Sequence, residues 1–220
     1  MVLVTTGDLK LLAGTNITKF GGGDKFQAKN ITLGWIADSA GGEIVASETL
    51  TFVNNAKLTN ATINAKKIVS SAPKTGFTVV GGELVVTEMD LQNFEAKDTD
   101  LDVDKLSLAY TASLVGDAAF KEKLEKVTVK NVEGVGTAPR IQLMGKNGIQ
   151  IEELIVESVP GTAALGNEAM FVDRMTEGST SFQIDKVSIA DGAELSIAAH
   201  KRTASNAANE ILCIPLHCLI

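Results

Sequence analysis

The sequence predicts an all-β fold, a single-stranded parallel β-helix (β-solenoid) of about ten coils with a period near 20 residues. Three observations predict it. An eight-residue pattern, apolar-x-apolar-x-x-apolar-x-apolar, recurs along the chain with windows at Val4, Phe26, Val45, Ile63, Leu84, Leu101, Glu122, Ile149, Phe182 and Asn209. The two central positions of those windows, GD, KN, ET, KK, TE, DK, EK, EE and DK, are polar or Gly everywhere but the last, which reads LC. Gly or Asn precedes several windows, at Gly21-Gly22-Gly23, Gly41-Gly42, Asn60, Gly81-Gly82 and Gly178, where their tolerance of left-handed backbone suits a sharp corner.

The elements follow in order. Successive windows are separated by 22, 19, 18, 21, 17, 21, 27, 33 and 27 residues. Several of these steps are too short for a strand–helix–strand unit, so each unit reads as corner, strand, two-residue bend, strand and return. A coil of this kind cannot bury its apolar face alone and must stack on its neighbours. Stacking puts Leu9, Ile31, Leu50, Ile68, Met89, Leu106, Val127, Leu154, Val187 and Ile214 in one inward column, all of them apolar. The last position of the window is apolar except at Ser70. The third position is small in the early coils (Thr6, Ala28, Ser47, Ala65) and larger from Val86 onward. The early cross-section is therefore expected to be tighter, or filled by Phe26 and Phe52. The segment DAAFKEKLEKV at 117–127 breaks the pattern. Phe120, Leu124 and Val127 fall at helical spacing, which predicts a short helix there. An antiparallel β-sandwich is the competing fold, but it does not predict a fixed polar break inside each unit.

The 220 residues are expected to form one solenoid domain, a fragment of a longer chain, with longer loops near 130–148 and 158–181. A hydrophobic content of 45% supports a sizeable core, and at 5% aromatic that core must be mainly aliphatic. The net charge of −7 makes nucleic acid an unsuitable partner. No apolar run is long enough for a transmembrane helix. MVLVTTGDLK lacks the basic and apolar regions of a signal peptide, so the chain is either cytosolic or a part whose leader lies elsewhere. Cys213 and Cys218 have no C-x-x-C or zinc-ligand spacing. The apolar end EILCIPLHCLI reads as a truncated stack, a partner-binding edge, or a small disulfide loop, truncation ranking first.

The units INAKKIVS (63–70), LDVDKLSL (101–108) and FQIDKVSI (182–189) resemble the passenger segments of bacterial autotransporter adhesins. More loosely, they are similar to right-handed, pectin-lyase-like parallel β-helices. The resemblance covers about 9–189 and rests on repeat texture. It implies export to the outer cell surface or beyond, with an adhesive or structural role and with glycans or host and cell-surface proteins as partners.

Candidate chemistry is sparse. Asp98, Asp100, Asp102 and Asp104 alternate in KDTDLDVD, and on a strand they would share a face able to meet Ca²⁺. A solvated outer face is the simpler reading, and no metal or other cofactor is expected. Arg140, Asp173, Arg174 and Glu177 are binding candidates because they fall in the two long excursions, where solenoids often bind. His200 is expected in an exposed loop; no G-x-S-x-G elbow accompanies it and no catalytic residue is assigned. Asn16, Asn30 and Asn60 each begin N-x-T, a glycan acceptor in a secreted eukaryotic chain. The expected function is a non-catalytic surface module. The alternatives are a polysaccharide lyase or hydrolase-like β-helix enzyme and a phage or fibre component.

Overall fold

The computed structural model describes residues 1–12, 20–34, 36, 39–71, 75–115, 117–130, 140–143, 150–157, 168–175, 183–190 and 194–201. They form strands β1 (Val2–Val4), β2 (Asp8–Leu11), β3 (Phe20–Gly21), β4 (Lys25–Leu33), β5 (Ser39–Ala40) and β6 (Glu43–Phe52). Next come β7 (Ala56–Thr59), β8 (Thr62–Ser70), β9 (Gly76–Val80), β10 (Glu83–Lys97), β11 (Asp100–Val115) and β12 (Ala119–Phe120). The last six are β13 (Leu124–Val129), β14 (Arg140–Leu143), β15 (Gln150–Val156), β16 (Glu168–Met175), β17 (Gln183–Ile189) and β18 (Glu194–Lys201). Every strand pairing is parallel. The fold is a parallel β-solenoid.

Its main path runs β1-β4-β6-β8-β10-β11-β13-β15-β17. The ten coils expected are not reached on this path, and the window at 209–216 lies outside the described residues. A second wall stacks β7, β9, the later part of β10, the later part of β11, β14, β16 and β18. The return of each coil is thus itself a strand. β10 and β11 run through both walls, with a register shift between Leu91 and Asn93.

The core is the set of inward columns. Phe26, Ile44, Ile63, Leu84 and Leu101 are aligned in register and fully buried. So are Ile31, Leu50, Ile68 and Met89. The small column is Ala28, Ala46 and Ala65, giving way to Val86 and Val103. Beside it the Phe52 and Phe77 rings stack with centroids 4.6 Å apart, and Phe94 lies 6.0 Å beyond Phe77. Phe20 packs on Phe26 at 4.6 Å. Aromatic rings from both walls therefore fill what the alanines leave open. Ser70 is tolerated in its apolar column because its hydroxyl accepts the Gln92 N–H at 2.9 Å.

Two registers differ from the sequence expectation. In the third coil Ile44 and Ala46 point inward, whereas Val45 and Ser47 do not. In the first coil Leu3, and not Val4, aligns with Phe26. The cause is one additional residue in each bend, which the pairing absorbs between Ala46 and Thr49 in the third coil and between Val4 and Asp8 in the first. Because strand side chains alternate, one residue exchanges inside for outside.

The helix expected at 117–127 is instead β12, a bend, and β13. Phe120 aligns with Leu101, and Leu124 with Ile151. Two columns claim the apolar residues that had suggested a helical face. The long excursions also contain strands, β14 and β16, so they are not plain loops.

The corners carry the expected conformations. Gly23, Gly41, Gly42, Asn60, Gly81, Gly82 and Asp98 have φ between 50° and 96°. Gly82 has the least freedom to change, since a Cβ there would sit 2.3 Å from the Ala61 carbonyl oxygen. Corner N–H groups donate to the next coil, from Gly41 to Thr59 O, Asn60 to Val80 O and Gly81 to Lys97 O.

Candidate functional site

The polar pairs of the sequence windows become a ladder of charge on the outer surface. Parallel pairing places Lys67, Glu88, Lys105, Lys126, Glu153 and Lys186 at one position of successive coils. Neighbouring strands lie about 4.8 Å apart, within reach of these side chains. Lys67 meets Glu88 at 2.6 Å. Glu153 accepts from Lys186 at 2.7 Å and is paired with Lys126 at 2.9 Å. Beside them Lys123 donates to Asp185, which also accepts from Gln183 at 2.8 Å. Lys105 and Glu125 are more loosely paired at 3.6 Å. Lys105, Lys123, Lys126, Glu152, Glu153 and Lys186 are among the residues lining an open groove of about 970 Å³.

Two carboxylates of the groove are shifted by their neighbours. Hydrogen bonds from Lys186 and then Lys126 lower the Glu153 carboxyl to about 2. Lys123, followed by Gln183, lowers that of Asp185. A carboxylate held ionised in this way is unsuited to donate a proton near neutrality, the task for which general acids have raised pKa values. The groove can match charged or polar groups at regular spacing.

The acidic stretch divides. Asp100, Asp102 and Asp104 stand on the outer side of β11, with Leu101 and Val103 buried between them. Asp98 leaves that face. It occupies the preceding corner with φ 50°, and its carboxylate accepts the Asp117 N–H at 2.9 Å. A sharp turn sets its direction, which strand alternation alone had not anticipated. Lys121 donates to Glu83 at 2.5 Å. That bond, and then the charges of Glu83, Asp100 and Asp102, raise its pKa. An ammonium group of the protein thus serves this acidic face. Among the described residues no three His, Cys, Asp or Glu side chains are arranged to hold a metal ion.

The other candidates do not share a loop. Arg140 is in β14, and Asp173 and Arg174 are in β16, each on the second wall. Arg140 pairs with Met170 across that wall and Leu143 with Asp173. His200 is in β18, in register with Arg174, and not in a loop. Glu177, His217, Cys213 and Cys218 lie outside the described residues. The ladder was not anticipated as a site. Its signal was present in the nine polar or Gly pairs, whose signs matter only once the register is known.

Fold and surface together define a parallel β-solenoid with a partly compensated charge ladder along one edge. Comparison with protein-family models, curated proteins and solved structures gave no match for this chain. Among the described residues no helix is long and apolar enough to cross a membrane.

Proposed function

We propose that this chain is a non-catalytic module of the cell surface or extracellular space, with an adhesive or structural role. The observation that carries the reading is the in-register charge ladder on stacked coils. Parallel stacking fixes the backbone of each interior coil against two neighbours, and the ladder pairs several of its outward charges from one coil to the next. The product is a stiff surface that repeats polar groups every ~4.8 Å, suited to an extended partner such as a glycan or a host or cell-surface protein. The finer assignment, to an autotransporter-type adhesin passenger, rests on the texture of INAKKIVS, LDVDKLSL and FQIDKVSI.

The test is retention of the purified chain on immobilised glycans and surface proteins, beside incubation with acidic polysaccharides. Retention without new reducing ends or unsaturated products supports the module. Turnover of a polysaccharide overturns it in favour of an enzyme. A stable trimer by light scattering turns the reading toward a fibre component. Antibody labelling of intact cells tests surface display, and signal seen only after lysis counts against it.

A further inference from the structure

The groove beside Glu153 carries both signs of charge in equal number. Its eight lining residues are four lysines and four acidic residues, whereas the whole chain carries −7. Parallel register sorts most of them into two adjacent columns at the bend. Lys105, Lys126, Glu153 and Lys186 follow one another in the first. Glu125, Glu152 and Asp185, each one residue earlier, make the second, and all are acidic.

Most of these charges are matched within the protein. Glu153 pairs with both Lys126 and Lys186, and Lys123 donates to Asp185. Two are open. Among the described residues no ion pair engages the exposed Glu152. Lys105 is half exposed and meets Glu125 only at 3.6 Å. The coils of Lys105 and Glu152 are two strand steps apart, about 10 Å.

We propose, resting on the surface-module reading, that this groove binds a zwitterionic polysaccharide in which free amino sugars alternate with uronic acids. A uronate carboxylate meets Lys105, and an ammonium group of the ligand meets Glu152. The same charges select against other polymers. A polyanion brings carboxylates against Glu125, Glu152 and Asp185, and a polycation brings ammonium groups against the four lysines. An extended peptide is out of step. Its side chains on one face recur every ~6.8 Å, so neither one interval nor two matches about 10 Å. β13 and β15 are also paired on both sides, which leaves no edge there for a peptide strand to join. A second copy of this chain has the right interval, but its −7 charge opposes the approach.

The probes are N-deacetylated hyaluronan, which carries an amine and a carboxylate in each disaccharide, its N-acetylated parent, and chitosan. Titration calorimetry uses the full chain, below neutral pH so that the amines are charged. The deacetylated polymer should bind about tenfold more tightly than either control. Glu152→Gln and Lys105→Gln should each weaken it by about threefold to fivefold. Glu152→Gln should also tighten binding of the N-acetylated polyanion, which a loss of folding cannot do. Equal or tighter binding of the N-acetylated parent or of chitosan to the unsubstituted chain overturns the proposal. So does no binding of the deacetylated polymer, or binding indifferent to both substitutions. These outcomes leave the surface-module reading in place, which cleavage of a polymer would overturn instead. Self-association that grows with protein concentration and is lost in both variants assigns the groove to a second copy, and also overturns the proposal.

Discussion

The coils from β4 to β9 and those from β11 to β17 solve the same packing problem differently. The early coils carry Ala28, Ala46 and Ala65 in a column where the later ones carry Val103, Leu124 and Ile151. Early on, the missing volume comes from Phe20, Phe26, Phe52 and Phe77, which approach from two walls. Later, aliphatic side chains fill the column directly, and the outer ion pairs become denser around Glu153. A solenoid can thus hold a nearly constant coil while exchanging aromatic volume on one wall for aliphatic volume on another.

The sharpest way to break this comparison is to remove the early aromatic volume. Phe77→Ala should cost about 3–5 kcal/mol in denaturant unfolding, because Phe77 is fully buried between Phe52 and Phe94. A loss below about 1 kcal/mol would mean that the rings do not fill the alanine column. Gly82→Ala should follow at about 2–4 kcal/mol, combining left-handed strain with collision against the Ala61 carbonyl. The same variant at an exposed corner with space, Gly23→Ala, should cost less, since nothing lies within 4 Å of its Cβ position.

Within the changing column, Ala65→Val and Val86→Ala each reverse the local choice. Both should destabilise by about 1–3 kcal/mol, the first by overpacking and the second by a cavity. If Ala65→Val stabilises the chain, the early column is underfilled and the comparison fails.

The smallest effect concerns acid. Glu153 has a folded pKa of about 2, below its ordinary 4.5. Its contribution is therefore complete above pH ~4.5 and is lost as the pH falls towards 2. Glu153→Gln should remove that part of the pH dependence, with little change in the early coils. Acid titration of unfolding midpoints for the two proteins checks it, and parallel curves across this window would reject the assignment.

Much of the fold was legible because stacking repeats a local pattern. The columns through Ile31, Leu50 and Ile68 needed only an apolar residue at a fixed offset from a polar pair. The second wall was harder to read. Ala56, Leu58, Phe77 and Val79 are buried there, but connections of differing length separate these short strands from the windows. Register failed where a bend gained a residue, since Ile44 and Val45 are equally good strand formers. At 117–127 the sequence could not distinguish one helical face from two coil columns. The charge ladder depends on which residues become neighbours across coils, a long-range property. Even so, polar pairs recurring at the bend already marked its edge.

The parallel ladder also dictates how this protein would answer a mechanical load. Its hydrogen bonds run along the stacking direction, so tension between the two ends strains them one coil at a time and does not shear many at once. Release of a single coil of 17 to 21 residues frees roughly 60–70 Å of chain. The molecule would lengthen in steps, each absorbing work while the remaining coils keep their columns intact.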